Sequence, residues 1–403
     1  MPSNNLSNSL TCHEPFSKLD RWSLAFDGTN DYIDCGSGST LDVGASAFSV
    51  SAWIYATGNT DDAIVSKGHS LGAGSGWALS VTSNEAIYLD IHDASNRDIT
   101  KTANSAFSLN AWNHVVAVRP AGTGEGRKIY LNGSDITDTN AEAVETCNDA
   151  AIDFKIGTCS NNRYFGGKIS DIAYYNVELS GAQVTSIYNS GDSYRHDTGV
   201  GSANLQGWWR MGDGTLDGYP LIADNSASSV LGTDLVTNGT FNSNTTGWSD
   251  EDSGTVSHET SIIHSGAGAL RCTFDGSEKW GGKTTSDISS VQANTLYLVE
   301  AHIYIPSGFD GGDCWLTDGA TFASASVEEV LRASSSITNQ WQLTRSIFRT
   351  VTDTTGRLYI RSTSNPSNTK YILVDDVTMR PITGGNPGYT INMTTDDFVE
   401  DTP

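Results

Sequence analysis

Apolar residues in this chain come in short bursts on alternate positions, and the bursts are separated by Gly, Ser, Thr, Asn and Asp. Ala47 to Tyr55 sets the pattern. Phe48, Val50, Ala52 and Ile54 point one way, and Ser49, Ser51, Trp53 and Tyr55 point the other. A period of two is the signature of a strand, and many short strands with turn residues between them exclude a helical bundle. The expected fold is therefore all-β. With 403 residues there is enough chain for two or three domains, each with its own core.

The same reading extends along the chain. Trp112 to Val118 forms a strand that turns through Gly122–Gly126 into Lys128-Ile129-Tyr130-Leu131, and Asn132-Gly133 supplies the next tight turn. One helix is readable. Ser180 and Gln183 form a capping box, Val184, Ile187 and Tyr188 form a short apolar stripe, and Gly191 is the expected stop. A second strand series begins near Leu235. Its clearest member, Leu296 to Ile305, sets Tyr297, Val299, Ala301, Ile303 and Ile305 against Leu298, Glu300, His302 and Tyr304. The expected division is an N-terminal arm (1–20), a first β-sandwich (21–199), a connector (200–233), a second β-sandwich (234–382) and an acidic tail (383–403). That tail reads as solvated chain or as a docking arm.

Charge narrows the class of partner. The formal net charge is −24, with 23 Lys plus Arg against 47 Asp plus Glu. A nucleic-acid binder has to neutralise phosphates, so nucleic acid is excluded as a partner, and an anionic membrane surface is disfavoured on the same ground. No stretch approaches the ~20 apolar residues of a membrane helix. If Met1 is the true start, Met1-Pro2-Ser3-Asn4-Asn5 lacks the regions of a secretion signal. Cys12, Cys35, Cys147, Cys159, Cys272 and Cys314 show no metal-binding spacing and are expected to be reduced and mostly buried.

Five ordered segments resemble the laminin-G-like, concanavalin-type jelly rolls. They are Leu24-Ala25-Phe26-Asp27-Gly28 with Asp31-Tyr32-Ile33; Phe48 to Ile54; Trp112-Asn113-His114-Val115-Val116 with Ile129 to Gly133; Phe165 to Asn176; and the capped helix. The second half resembles the jelly rolls of carbohydrate-binding modules in families 4, 9 and 22. The resemblance rests on Leu235 to Phe241 with Gly247-Trp248, on His264 to Leu270, and on Tyr371 to Met379. The pairing of two such domains, with Leu205 to Asp213 between them and an acidic tail behind, resembles structural proteins of marine bacteriophages.

The resemblance implies possible structural Ca²⁺, at Asp27, Asp31 and Asp171 in the first domain and at Asn238, Asp375 and Asp376 in the second. The bland alternative is Asp and Asn closing their own turns. Sugar binding needs an aromatic platform beside polar groups. The candidates are Glu300, His302 and Tyr304, together with Trp280 and Trp315, while Trp53, Trp77 and Trp112 read as core. Catalysis is not expected. A glycosidase of this fold needs two carboxylates in phase on one strand, and Asp90-Ile91-His92-Asp93 puts its second carboxylate out of phase.

The resulting expectation is a non-enzymatic virion structural protein, a head decoration, fibre or tail component. It would be assembled in the host cytoplasm and displayed as a homo-oligomer or in many copies. Its partners would be other virion proteins and, through weak glycan binding, a host surface polysaccharide. The alternatives are a bacterial cell-surface carbohydrate-binding or adhesion protein and, disfavoured, a glycan-cleaving enzyme.

Overall fold

Four antiparallel sheets carry almost all of the regular structure. The computed structural model describes residues 21–58, 61–68, 74–93, 95–122, 126–140, 146–214, 216–226, 230–251, 254–293, 295–319, 327–350 and 355–403. The arm at 1–20 and Cys12 lie outside them.

The first domain is a sandwich of an eight-stranded and a nine-stranded sheet. The centre of the eight-stranded sheet is Gly166–Tyr175, paired with Phe48–Ala56 on one side and with Ser23–Asp27 on the other. Phe48, Val50, Ala52 and Ile54 point into the core shared with Trp77, Phe154 and Trp209. The opposite face of this sheet is covered as well. Val116, Val118, Tyr130, Ala173 and Tyr175 form a second apolar layer with Val184 and Ile187 of the helix Gly181–Tyr188 and with Trp208. This explains why Ser49 and Ser51, on the face opposite the core, are fully buried. Ser180 caps the helix as its sequence indicates, with Ser180 N–H donating to Gln183 Oε1 at 2.9 Å. The helix ends on Asn189, left-handed at φ 49°, two residues before the expected Gly191. Asparagine tolerates that conformation better than most side chains.

The second domain pairs a seven-stranded with a four-stranded sheet. Tyr297, Val299, Ala301, Ile303 and Ile305 lie in its core, as the alternation of Leu296–Tyr304 requires.

The connector and tail do not behave as separate segments. Leu205–Trp209 pairs with Gly166–Tyr175, and Leu221–Ile222 pairs with Gly388–Ile391. The strand Gly388–Ile391 pairs in turn with Tyr32–Asp34, and Phe398–Val399 pairs with Ser23–Asp27. Residues 383–403 therefore return to the first domain and extend both of its sheets. The second domain is an insertion within the first. Its entry and exit run side by side, Val230 opposite Thr383 and Leu231 opposite Ile382. Leu221, Leu296, Leu298, Ile347, Ile382 and Tyr389 form an apolar cluster at the junction.

The tail is anchored through its charge too. Lys168 Nζ donates to Asp401, Trp112 Nε1 donates to Asp401 Oδ1 at 3.4 Å, and Arg21 pairs with Glu400 at 2.8 Å. Trp112 is thus half-buried beside the tail, whereas Trp77 is fully buried and Trp53 nearly so. Cys35, Cys147, Cys159, Cys272 and Cys314 are buried and free of disulfides.

Candidate functional site

The five residues expected to bind sugar divide between two opposite faces of the second domain. Glu300, His302 and Tyr304 project from the seven-stranded sheet, on the side away from the core. Trp280 and Trp315 project from the four-stranded sheet.

On the seven-stranded face, the register sets Tyr304 opposite Trp341, His302 opposite Leu343 and Glu300 opposite Arg345. Arg345 Nε donates to Glu300 Oε1 at 2.8 Å, and its Nη1 donates to the Gly218 carbonyl at 3.2 Å. Glu300 is thereby held at the junction with the first domain. His302 stacks on His264 with ring centroids 3.6 Å apart, and His264 meets the edge of Trp341. Burial and the neighbouring His264 push the His302 pKa down. His264, His302 and Asp376 each present a ligand atom, and these atoms lie within 4.8 Å of one another. Two imidazoles and a carboxylate suit a borderline ion such as Zn²⁺, not the all-oxygen shell of Ca²⁺.

On the four-stranded face, three strands lie side by side, Trp280–Thr284, Arg357–Ser362 and Cys314–Gly319. Alternation sends Cys314, Leu316, Leu358 and Ile360 into the core and leaves Trp315, Thr317, Tyr359 and Arg361 outward. The Trp280 strand needs a bulge to match. The register shifts between Trp280 and Gly282, so that Trp280 stands opposite Arg361 and Gly282 opposite the buried Ile360. Gly281 makes the bulge possible, because a Cβ there would lie 3.0 Å from the Phe274 ring.

The result is a row in which Arg361 sits between two indoles, 4.8 Å from the centroid of Trp280 and 4.6 Å from that of Trp315. The outer strands are about 10 Å apart, twice the strand spacing. Arg332 covers Trp315 at 4.2 Å, Lys279 stands 6.0 Å from Trp280, and Tyr359 meets Trp280 edge-on at 5.5 Å. Trp315 is only 7 % exposed, so it supports the two guanidiniums, while Trp280 and Tyr359 stay partly open. Sequence reasoning named the tryptophans but missed Arg361, Tyr359 and Arg332. The alternation of Arg357-Leu358-Tyr359-Ile360-Arg361 would have put the first two on one face, but only the register shows that this face is shared with Trp280.

The residues expected to hold Ca²⁺ do not assemble into an oxygen cage. Asp27 pairs in register with Gly166, five residues before Asp171, so the two carboxylates lie roughly 17 Å apart along the strand. Asp27 Oδ1 accepts the N–H groups of Thr29, Asn30 and Asp31, and Asp31 Oδ2 accepts the N–H of Asp27 at 2.9 Å. Asp171 is buried. Trp208 Nε1 donates to one of its oxygens at 2.5 Å, and His196 Nε2 lies 3.1 Å from the other. Burial raises the Asp171 pKa, but His196 and these hydrogen bonds outweigh it and hold the carboxyl below its ordinary value.

In the second domain Asn238 donates to the carbonyls of Asn244 and Thr246. Asp375 accepts the N–H groups of His264, Ser265 and Asp376. Asp376 accepts from His264 Nδ1 and Ser265 Oγ, both at 2.7 Å. Asp27, Asp31 and Asn238 close turns, Asp171 is held by Trp208 and His196, and Asp375 and Asp376 hold His264 and Ser265; as arranged the six do not fit the ion.

Asp90 is fully buried and paired with Arg97 at 2.5 Å, which keeps it from an exposed groove. No helix among the described residues is long and apolar enough to cross a membrane.

Comparison with solved structures gives several partial matches. The CBM22-1 xylan-binding domain of Xyn10C from Paenibacillus barcinonensis is 15 % identical, with 38 % of this chain and 96 % of that one covered, at a TM-score of 0.31. A native heptameric SAP-like pentraxin from Limulus polyphemus is 16 % identical over 43 % and 83 % of the two chains, at 0.33. The CBM40 of the Ruminococcus gnavus IT-sialidase is 15 % identical over 43 % and 100 %, also at 0.33. No curated protein matches the chain. Residues 27–185 match the family described as the concanavalin A-like lectin/glucanases superfamily, and residues 233–369 match the family described as carbohydrate binding domain. The chain therefore carries a concanavalin A-like domain followed by a carbohydrate-binding domain, the second housed within the strands of the first.

Proposed function

We propose that this is a non-enzymatic glycan-binding protein whose contact surface is the outer face of the four-stranded sheet, centred on Trp280. The observation that carries this reading is the row Trp280–Arg361–Trp315 with Tyr359 beside it. It sits in the domain that matches a carbohydrate-binding family, and it combines a partly exposed aromatic ring with fixed polar groups on the outer strand face.

A bacterial cell surface or a virion would serve equally well as carrier. The virion reading rests on the pairing of the two domains. Either setting displays many copies, and multivalency turns weak single-site binding into firm attachment.

The test is binding of the full chain to a glycan array, with Ca²⁺ and again with chelator. Trp280→Ala is expected to weaken binding tenfold or more, with the melting temperature unchanged within about 2 °C, because a central aromatic contact is worth about 2 kcal/mol. Tyr304→Ala, on the opposite face, is expected to leave binding intact. The reverse pattern would place the site on the seven-stranded sheet and sink this reading.

A further inference from the structure

Among the described residues, the strongly acidic chain gathers unpaired positive charge at the Trp280 row. Lys283 there is paired with Glu251, and Arg357 is paired with Asp287 at 2.7 Å. Arg361 and Arg332 have no carboxylate partner among the described residues. Arg361 Nε is buried with no hydrogen-bond partner there, although its side chain is only half-buried. Both guanidiniums lie against the Trp315 ring, which fixes their planes without using their hydrogen bonds. Burial, and then the neighbouring charge of Arg332, lower the affinity of Arg361 for its proton. The bridge of Cys314 with Ala333 sets Arg332 on the side of Trp315 away from Arg361, so the two guanidiniums flank the indole, and oxyanions along this row would meet a positive charge on either side of it.

We propose that the Trp280 face selects anionic polysaccharides, whose carboxylate or sulfate groups are taken by Arg361 and Arg332 while the sugar ring lies against Trp280 and Tyr359. This rests on the glycan-binding reading above and adds the substrate class. Both oxyanions present paired oxygens to a planar guanidinium, so the shared chemistry is a negatively charged sugar substituent. The remaining acidic charge of the chain opposes polyanions at long range. At physiological ionic strength that repulsion is screened beyond about 8 Å, whereas contact pairing at the row survives.

The experiment compares matched pairs of immobilised polysaccharides, each with and without its charge, against the full chain. Polygalacturonate is set against its methyl-esterified form, and carrageenan against agarose. The expected result is that at least one charged member binds about tenfold tighter than its neutral counterpart, the gain of a charge-assisted contact. Arg332→Gln is expected to abolish that preference, so that charged and neutral members bind alike. Arg332 is exposed, so this variant tests the idea without risk to the core. Arg361→Gln should give the same loss. Arg361→Lys should recover part of it, since the charge is kept but the planar fork is not. Equal binding of charged and neutral partners, or a preference untouched by Arg332→Gln, would overturn the anionic assignment and leave glycan binding standing. No binding to any of the four polymers would overturn both.

Discussion

The first domain covers both faces of its central sheet, whereas among the described residues the second leaves the outer face of its four-stranded sheet partly open. In the first, the helix Gly181–Tyr188, Trp208 and the returning tail cover what would otherwise be solvent faces and edges. In the second, the same alternation sets Trp280, Tyr359 and Arg361 outward, with Arg332 and Lys279 beside the two tryptophans among the described residues. Two sandwiches of similar layout thus divide the work. One uses its aromatics for cohesion, and the other leaves Trp280 and Tyr359 partly exposed. The difference also shows in how buried charge is handled. Asp171 and His196 form a closed pair 2 % and 1 % exposed, whereas Arg361 waits half-open without a counter-ion among the described residues.

The sharpest way to break this contrast is to remove the returning tail. A chain ending at Thr383 loses the strand Gly388–Ile391, the buried side chains of Tyr389 and Met393, and the Asn386 carbonyl that accepts from Trp209 Nε1 at 2.9 Å. Two buried side chains at about 1.5–3 kcal/mol each are a large share of the 5–15 kcal/mol typical of a domain. The melting transition of the first domain is expected to fall by about 10 °C or more. Glycan binding at the Trp280 face should persist at low temperature, since that face lies wholly in the inserted domain. A shift under about 2 °C would mean that the tail only decorates the sandwich.

A smaller effect is expected from opening the buried pair. His196 bridges Tyr175 and Asp171, and His196→Ala strands a buried carboxylate with Trp208 as its main donor. Breaking such a pair costs about 3–5 kcal/mol at neutral pH. The sign with pH follows from the depressed Asp171 pKa. The pair's contribution is fully present above the unfolded carboxylate value of about 3.9 and is lost as pH falls through the lower folded value. Chemical denaturation of wild type and variant should therefore converge in acid. A gap that stays constant down to pH 3 would mean that packing, not charge, accounts for the loss.

Much of this was legible in the sequence, and the reason is local. Alternation in Phe48–Ala56 and Leu296–Tyr304 fixes which side chains face the core, and the capping box at Ser180 fixes where the helix starts. Register and return paths are not local. Nothing near Tyr389 indicates that its strand pairs with Tyr32–Asp34, more than three hundred residues earlier. For that reason the acidic tail read as solvent-exposed or docked elsewhere. The same limit joined Glu300, His302 and Tyr304 with Trp280 and Trp315 as one sugar-binding set. Each is outward on its own strand, but only the sheet order reveals that the two groups lie on opposite faces. The carboxylates picked for Ca²⁺ close turns, as Asp27 does, or hold protein donors elsewhere, as Asp171 and Asp375 do. Their residue types are the same in both roles, and only their donors separate the two.

The smallest expected effect sharpens that last point at the edge of the covered domain. Asp31 is 4 % exposed, and its pKa is pushed up to about 6, first by burial and then by the negative charges of Asp27 and Asp397. The folded value lies above the unfolded value of about 3.9, so the folded state holds the proton more tightly. Stability is therefore lost as pH rises between about 4 and 6, and the penalty is complete above 6. Asp31→Asn keeps an oxygen to accept the Asp27 N–H and removes the charge. In chelator it is expected to raise the melting temperature by about 1–3 °C at pH 7.5, a modest gain because the Asp27 N–H bond offsets part of the burial cost, and to change nothing at pH 4. Added Ca²⁺ should leave that gain unaltered if Asp27 and Asp31 only close their turn. If Ca²⁺ instead stabilises the wild type and not the variant, the two carboxylates bind the ion after all, and the first domain carries a metal site that its present hydrogen bonds conceal.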